Sequence, residues 1–381
     1  MKNTFLLLFV VLILGCVENK KGAISDEIQG NVIKVDYAKG FSISKSVSGI
    51  TTISVSSPWP NATADFTYAL VPKKNAANIT VNKNDYDAIV FTPVESLVAT
   101  STTHIPALEA LGVIDKLVGF PDSKYISSKA ARKRIAKGEI LELGNNESMN
   151  GEMVIALRPD VVIGFSINNQ NKAYNTLERA GIPVVYNGEW TEETPLGRAE
   201  WIKFFAPFFE LEDQADSIFN DISSSYKVAK NIAAKAKKQP TILSGALYKD
   251  VWYLPGGKSW AAQFLKDANT RYLWQNNPDT GSVSLSLESV LQQARDADFW
   301  ISPSQFTTYD QLELANRHYS QFKAYREQKV FTFAATQGET GGLLYYELGP
   351  HRPDLILKDL IHIFHPELLP EHNPFFFKPL K

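Results

Sequence analysis

The spacing of apolar and polar positions changes character twice along the chain. From Val32 to about Tyr68, short alternating runs such as Phe41-Ser-Ile43-Ser and Ile50-Thr-Thr-Ile-Ser-Val55 predict antiparallel strands. Pro58-Trp59-Pro60-Asn61 breaks them. After Asp87 the pattern becomes short apolar runs separated by helical periodicity. Ala88-Ile-Val-Phe91 reads as a buried strand, and Ile105-Pro-Ala-Leu-Glu-Ala-Leu111 as a helix stopped at Gly112. Leu117–Gly119, Val161–Phe165 and Pro183–Tyr186 read as further strands, with a helix from Ala173 to Ala180 between the last two, ended by Gly181. Such alternation predicts a parallel sheet covered by helices on both faces.

From Pro195 to Lys238 the signal is helical, through Trp201, Phe204, Phe205 and Phe208 and then Ile218, Ile222 and Tyr226, with Pro207 placed to kink or break it. The stretch is far longer than an ordinary connection. Strand–helix alternation restarts past Pro240 with Thr241–Leu247, Phe299–Ile301 and Val330–Phe333, and a last helix runs from about Pro353 to Phe364. The expected fold class is α/β, with two lobes of mainly parallel sheet flanked by helices and joined by a long linking helix. The expected boundaries are 32–190 for the first lobe, including a strand-rich start at 32–87, then 191–239 for the linking helix and 240–381 for the second lobe.

The extreme N-terminus adds a location. Lys2, the apolar run Phe5–Leu14 and the small residue Gly15 have the layout of a signal peptide over 1–15, and the run is too short to span a bilayer. Cys16 follows directly and is the only cysteine in 381 residues. Ile13-Leu14-Gly15-Cys16 resembles the lipobox of bacterial lipoproteins, in which the cysteine is acylated and becomes the first residue of the mature chain. The plainer alternative is a signal peptide with an incidental cysteine. Lipidation suits the lack of any other thiol, because exported chains tend to pair their cysteines or avoid them. Residues 16–31 then form a lipidated tether, polar from Val17 to Gln29. Charge is nearly balanced, with 39 Lys and Arg against 41 Asp and Glu and no basic block, so nothing favours nucleic acid as a partner. Seven Trp and an aromatic content of 12% are compatible with an aromatic-lined pocket.

Two segments match each other. Asn150-Gly-Glu152-Met-Val154, leading to Asp160 and the strand at Val161, has a counterpart in Ser286-Leu-Glu288-Ser-Val290, leading to Asp298 and the strand at Phe299. Each carries an N-cap residue, a Glu two places on, an apolar helix face, an Asp and a strand. A local explanation exists, since an acid in the first helical turn gains about 0.3–1 kcal/mol from the helix dipole. Recurrence in both halves adds another, a pair of acids facing a two-fold-symmetric basic partner.

From about Ala88 to Leu368 the chain resembles the class III substrate-binding proteins of ABC importers, which carry ferric siderophores, haem and cobalamin. The resemblance runs through Ile105–Gly112, Met149–Asp160, Trp252-Tyr-Leu-Pro-Gly-Gly257, Arg352-Pro-Asp-Leu355 and His365-Pro-Glu-Leu368, in that order and spacing. It implies that Glu152 and Glu288 dock against arginines of an ABC permease dimer, across a rigid linker and with a modest closing motion. It also implies a small-molecule metal chelate as ligand (a ferric siderophore, or cobalamin or haem), no cofactor, and no catalytic residue. The place implied is the periplasmic face of a membrane, held by a lipid anchor. The strand-rich start exceeds the family's core, and the resemblance gives it no role.

In open parallel sheets ligands bind beyond the carboxyl ends of the strands. The candidate ligand residues are therefore Thr92, Glu95, Ser96, Phe165 and Trp190 in the first lobe. In the second they are Tyr253, Lys258, Trp260, Phe306 and Gln337. Aromatic planes suit a chelate or macrocycle, and Lys258 suits an anionic group. Packing between the lobes is the alternative use of each aromatic, and Glu95 is equally placed to partner a helix dipole. Pro255-Gly-Gly-Lys258-Ser259 imitates the end of a phosphate-binding loop, but Trp252 stands where that motif needs glycine. His362 and His365, three apart, read as structural for want of further ligands. An exported enzyme on the same scaffold is the rival class, and it requires a nucleophile–base pair or metal cluster that the sequence does not show.

Overall fold

The computed structural model describes residues 31–168 and 170–381. The signal peptide, Cys16 and nearly all of the tether lie outside the described residues. The strand-rich start forms one sheet of β1 (Asn31–Ile33), β2 (Phe41–Lys45), β3 (Thr51–Val55), β4 (Phe66–Pro72) and β5 (Ala88–Thr92), in that order. Pairing is antiparallel up to β4, and β5 lies parallel to β4. Alternation places Phe41, Ile43, Ile53 and Val55 on one buried face. That face packs on the linker, where the Phe41 ring lies 4.6 Å from Trp201 and 6.1 Å from Phe204. The strand at Ala88 does not open the first lobe's parallel sheet; it is the far edge of this extra sheet, and Phe91 is accordingly 49% exposed.

The first lobe's own sheet is built from β6 (Leu97–Ala99), β7 (Leu117–Phe120), β8 (Leu141–Glu142), β9 (Val161–Gly164) and β10 (Val184–Tyr186), ordered β10-β9-β6-β7-β8. All its pairs are parallel. Helices α1 (His104–Ala110), α2 (Lys129–Ala136), α3 (Gly151–Leu157) and α4 (Lys172–Arg179) connect them. The central strands are buried on both faces and hence read as unbroken apolar runs, Val161-Val-Ile above all.

The linker is not one helix. It comprises α5 (Pro195–Glu200), α6 (Ile202–Phe205), a 3₁₀ turn over Ala206–Phe208 and α7 (Glu212–Ala233). Pro207 sits inside the 3₁₀ turn, and Glu210 takes the left-handed conformation at φ 58°, so the chain turns before α7 begins. Helix α7, about 33 Å long at 1.5 Å per residue, buries Ala215, Phe219, Ile222, Tyr226, Ala229 and Ala233 at alternating steps of four and three. Its first half belongs to the first lobe's core and its second half to the second lobe's core. The helix therefore stitches the two together.

The second lobe contributes β11 (Thr241–Ser244), β12 (Ala246–Tyr248), β13 (Val251–Pro255), β14 (Arg271–Tyr272), β15 (Ser282–Leu285), β16 (Phe299–Ile301), β17 (Val330–Thr332) and β18 (Lys378–Pro379). The main sheet, ordered β14-β11-β16-β17-β18, is parallel but for β18, and β12-β13-β15 form a small antiparallel sheet beside it. Helices α8 (Trp260–Asp267), α9 (Leu287–Ala294), α10 (Tyr309–Ala315), α11 (Lys323–Arg326), α12 (Leu344–Glu347) and α13 (Pro353–Phe364) complete it. Trp252 and Trp300 lie 5.5 Å apart in its core, and their indole N–H groups donate to the carbonyls of Ser244 and Gly245.

The lobes also touch directly. The buried Glu347 carboxylate accepts the backbone N–H of Ser127 at 2.5 Å and of Ser128 at 2.8 Å, and Thr340 Oγ1 donates to the Lys124 carbonyl at 2.6 Å. Gly338 and Gly342 let the backbones meet here. A Cβ on Gly338 would sit 2.6 Å from Ser127 Cα, and one on Gly342 would strike the Tyr125 carbonyl oxygen.

Candidate functional site

A cavity of ≈460 Å³ is walled mainly by the second lobe, with Trp190 of the first lobe and Arg198 of the linker among its lining. It lies at the carboxyl ends of β10, β11, β16 and β17, whose last or following residues include Trp190, Ser244–Gly245, Ser302 with Ser304, and Phe333. Tyr253 reaches it from β13 because strand alternation turns Trp252 and Leu254 into the core and leaves Tyr253 42% exposed. Gly245 permits this arrangement. Its φ is 80°, and a Cβ there would collide with the Tyr253 carbonyl. Trp260 is the first residue of α8, after the N-cap Ser259, whose Oγ accepts the N–H of Ala262 at 3.2 Å. Tyr345 and Tyr346 project from α12, and Tyr345 stacks on Phe333 at 4.4 Å with an interplanar angle of 12°. Ser302 and Ser304 both hold positive φ, 55° and 52°, a costly geometry concentrated at the cavity wall.

One cation stands among these rings. Arg198, on α5, lies over the Trp260 ring with its guanidinium carbon 4.3 Å from the centroid. Its Nε donates to the Glu192 carbonyl at 3.1 Å and its Nη2 to the Trp190 carbonyl at 2.6 Å. Burial pulls its pKa below the ordinary arginine value, against the charges of Glu189 and Glu192. It remains a cation at neutral pH, and it makes no ion pair with a carboxylate among the described residues, while neighbouring Lys203 pairs with both Glu200 and Asp216. Glu189 is buried beside it, its carboxyl pushed up by burial and its Oε2 without a hydrogen-bond partner. The Trp190 indole N–H is likewise buried and unpaired.

A second hollow, ≈620 Å³, follows the carboxyl edge of the first lobe's sheet and is lined by Asp122, Asn145–Glu147 and Phe165–Asn168, with Gln170 and Asn171. Phe165 belongs to this hollow and Trp190 to the cavity, and their rings are 5.5 Å apart, so one aromatic pair forms the wall between them. Asn145 and Asn168 spend their side-chain oxygens on local N–H groups, of Ser148 and Gln170, and Asn171 spends its own capping α4. What these amides leave for a ligand is donors.

Of the ten candidate ligand residues, Trp190, Tyr253 and Trp260 line the cavity and Phe165 the adjoining hollow. The other six do not. Thr92, Glu95 and Ser96 precede β6, and Leu97 pairs with Leu117 and Val161, the first residues of their own strands, so this loop lies at the amino edge. There Glu95 forms an ion pair with Lys116 at 2.7 Å rather than capping α1, and Ser96 Oγ accepts the N–H of Asp160. Lys258 is exposed, because the Gly256–Gly257 turn packs tightly on the backbone at Asn277 and Asp279 and carries the lysine outward. The left-handed serines swing Phe306 away to pack edge-on against Tyr319 at 6.4 Å. Gln337 closes its own loop, donating to the Ala334 carbonyl at 2.9 Å. Sequence reasoning missed Arg198, Phe333, Tyr345 and Tyr346. The doublet Tyr345-Tyr346 after Gly341-Gly342 was a usable signal; Arg198 gave none, since nothing local tells a surface arginine from a buried one.

Glu152 and Glu288 are both exposed, each in the first turn of a capped helix, α3 behind Asn150 and α9 behind Ser286. Helix–backbone N–H, the Ser286 hydroxyl and the charge of His318 hold the Glu288 carboxyl below the usual range. Each helix runs into a parallel strand of its own lobe, so both first turns lie toward the carboxyl edge, on the side of the cavity. The His362 and His365 rings are each spent on a separate backbone carbonyl. Their ring nitrogens lie 2.8 Å from the Leu369 carbonyl and 3.0 Å from the Ala268 carbonyl, and no metal-binding cluster occurs among the described residues.

An uncharacterized lipoprotein of Methanocaldococcus jannaschii is 27% identical over 298 residues, covering 76% of this chain and 69% of the relative. A periplasmic haem-binding protein from Pseudomonas aeruginosa superposes with a TM-score of 0.57 at 18% identity, covering 76% of this chain and 98% of that one. A protein of the Fe³⁺-hydroxamate transport system of Saccharomonospora viridis gives 0.53 at 17% identity, over 72% and 94%. These structural likenesses establish the two-lobed fold. A family model described as periplasmic binding protein matches residues 97–336, well over half of the chain, from the first strand of the first lobe's sheet to the loop after β17. The chain therefore belongs to the periplasmic binding protein family, whose members bind small-molecule ligands and work with ABC transporter permeases.

Proposed function

We propose that this chain captures an organic metal chelate bearing an anionic group, of the iron–siderophore kind, in the interlobe cavity and delivers it to a dimeric ABC permease. The observation that carries the reading is Arg198, a cation set among aromatic planes with no carboxylate ion-paired to it among the described residues. A ligand that brings its own negative charge and a flat or apolar body answers both features. Cys16 tethers the protein by a lipid, and Glu152 and Glu288 engage arginines on the two halves of the permease.

The soluble chain 17–381, titrated with a ferric tricatecholate, ferrichrome, haemin and cyanocobalamin while tryptophan fluorescence is followed, tests the ligand class. Saturable quenching by one of them is expected, and quenching by none refutes the reading. Replacing Glu152 and Glu288 with Ala is expected to abolish uptake and leave ligand affinity intact; unchanged uptake ends the docking assignment. Haem or cobalamin is the second reading, favoured by the flat faces of Trp260 and the stacked Tyr345–Phe333 pair. An enzyme on this scaffold is the reading of another class, and turnover of a candidate substrate by the soluble chain decides for it.

A further inference from the structure

The strand-rich start of the chain is bonded to the two glutamates that flank Arg198 in the sequence. We propose that it is a working part of the binding site, in which Glu192 and Glu200 are positioning residues that lock the segment Asp36–Gly40 to the linker and so hold Arg198 in the cavity. The segment joins β1 to β2 and lies outside the family match at 97–336. Glu200, fully buried, accepts the N–H groups of Asp36 at 2.9 Å, Tyr37 at 2.6 Å and Ala38 at 2.9 Å, and pairs with Lys203 at 3.2 Å. Glu192, also buried, accepts those of Lys39 and Gly40 at 2.8 Å each, and the Trp201 indole N–H at 3.1 Å. Five consecutive backbone donors thus end on two carboxylates, all of them charge-assisted bonds.

Arg198 sits between the two glutamates in sequence, and its Nε donates to the main-chain carbonyl of Glu192. The same residue therefore holds the extra sheet with its side chain and the arginine with its backbone. Close approach is specific to glycine on both sides. A Cβ at Gly40 would lie 2.9 Å from the Trp201 ring, and one at Gly197 would lie 3.0 Å from Glu192 Oε2. Tyr37 extends the brace to α7, its ring 5.8 Å from Phe219. Such bracing is needed because α5 has only six residues, too few to be stable as an isolated helix. With two of its five N–H donors fixed on carbonyls, the guanidinium plane is set and the others are left for a ligand. The sheet is what keeps those carbonyls in place.

The inference rests on Arg198 reading the ligand's charge, and the test separates the two ideas. Glu192→Ala, Glu192→Gln and Arg198→Gln are made in the soluble chain 17–381. Hydrogen exchange over 195–201 in the ligand-free protein is expected to quicken at least about tenfold in Glu192→Ala, to return near the wild-type rate in Glu192→Gln, which keeps an acceptor, and to stay unchanged over 260–267. The preference for haemin over haemin dimethyl ester, which lacks the carboxylate charges, is expected to fall roughly tenfold in Glu192→Ala and Arg198→Gln and to recover in Glu192→Gln. Wild-type exchange in Glu192→Ala overturns the inference, as does faster exchange with an unaltered preference. An intact preference in Arg198→Gln overturns the charge reading of the cavity and the inference with it. If haemin does not bind, the exchange result decides alone.

Discussion

Glu347 should make the contact between the lobes weaken as pH rises. Its carboxylate, 4% exposed, is held from the second lobe against Ser127 and Ser128 of the first. Burial pushes its pKa up from 4.5 to about 7, outweighing the N–H groups that favour the anion, and the nearby Glu109 pushes the same way. Any state that separates the lobes exposes this group and returns it toward 4.5. The closed form therefore holds its proton to higher pH, its advantage being complete below about pH 4.5 and lost as pH climbs through 7. At 1.36 kcal/mol per pH unit, the loss between pH 5 and pH 8 is of order 2–3 kcal/mol. Glu347→Gln removes the titration, so wild type and variant should diverge with rising pH, with the variant gaining. Urea unfolding of both proteins at pH 5 and pH 8 measures the divergence, and it is read as a change in midpoint at constant slope. A difference between the two that does not change with pH, or a wild type that gains as pH rises, refutes the reasoning.

Gly342→Ala should wedge the same contact, because the new Cβ meets the Tyr125 carbonyl and lies 2.7 Å from Ser127 Oγ; a cost of about 1–3 kcal/mol and a larger radius of gyration by small-angle scattering are expected, and unchanged scattering and stability count against it. Glu200→Ala strands three N–H groups and removes one partner of the buried Lys203, so a loss of about 3–5 kcal/mol in urea is expected; less than 1 kcal/mol contradicts the brace. Arg198→Gln should weaken an anionic chelate such as haemin by roughly 10- to 150-fold, the worth of one charge-assisted bond of about 1.5–3 kcal/mol; affinity within twofold of wild type removes the arginine from the site.

Much of this molecule was legible from spacing alone. The central strands of each lobe are covered on both faces, and that condition writes unbroken apolar runs such as Val161-Val-Ile into the sequence. Helix α13 announced itself through Pro353 at its first turn and nine buried positions along twelve residues. The matched helix starts at Asn150 and Ser286 were visible because capping is a contact within four residues. Short elements were not visible: β6, three residues long between two loops, has no period to show, and missing it misplaced Thr92, Glu95 and Ser96 at the wrong edge of the sheet.

The sequence by itself determined the strand–helix alternation of both halves, the aromatic stock of the second lobe and the capped helix starts that carry Glu152 and Glu288, because each of these depends on neighbours a few residues away. Only the tertiary structure decided which side chains share the cavity. Arg198 meets Trp260 across 62 positions of sequence, and Glu200 meets Asp36 across 164. Neither pairing leaves a local trace, since a buried carboxylate or guanidinium is chosen by the donors and rings that the folded chain brings to it. Burial raises the cost of leaving such groups unpaired, and for that reason the site follows from the packing of the extra sheet, the linker and the second lobe together.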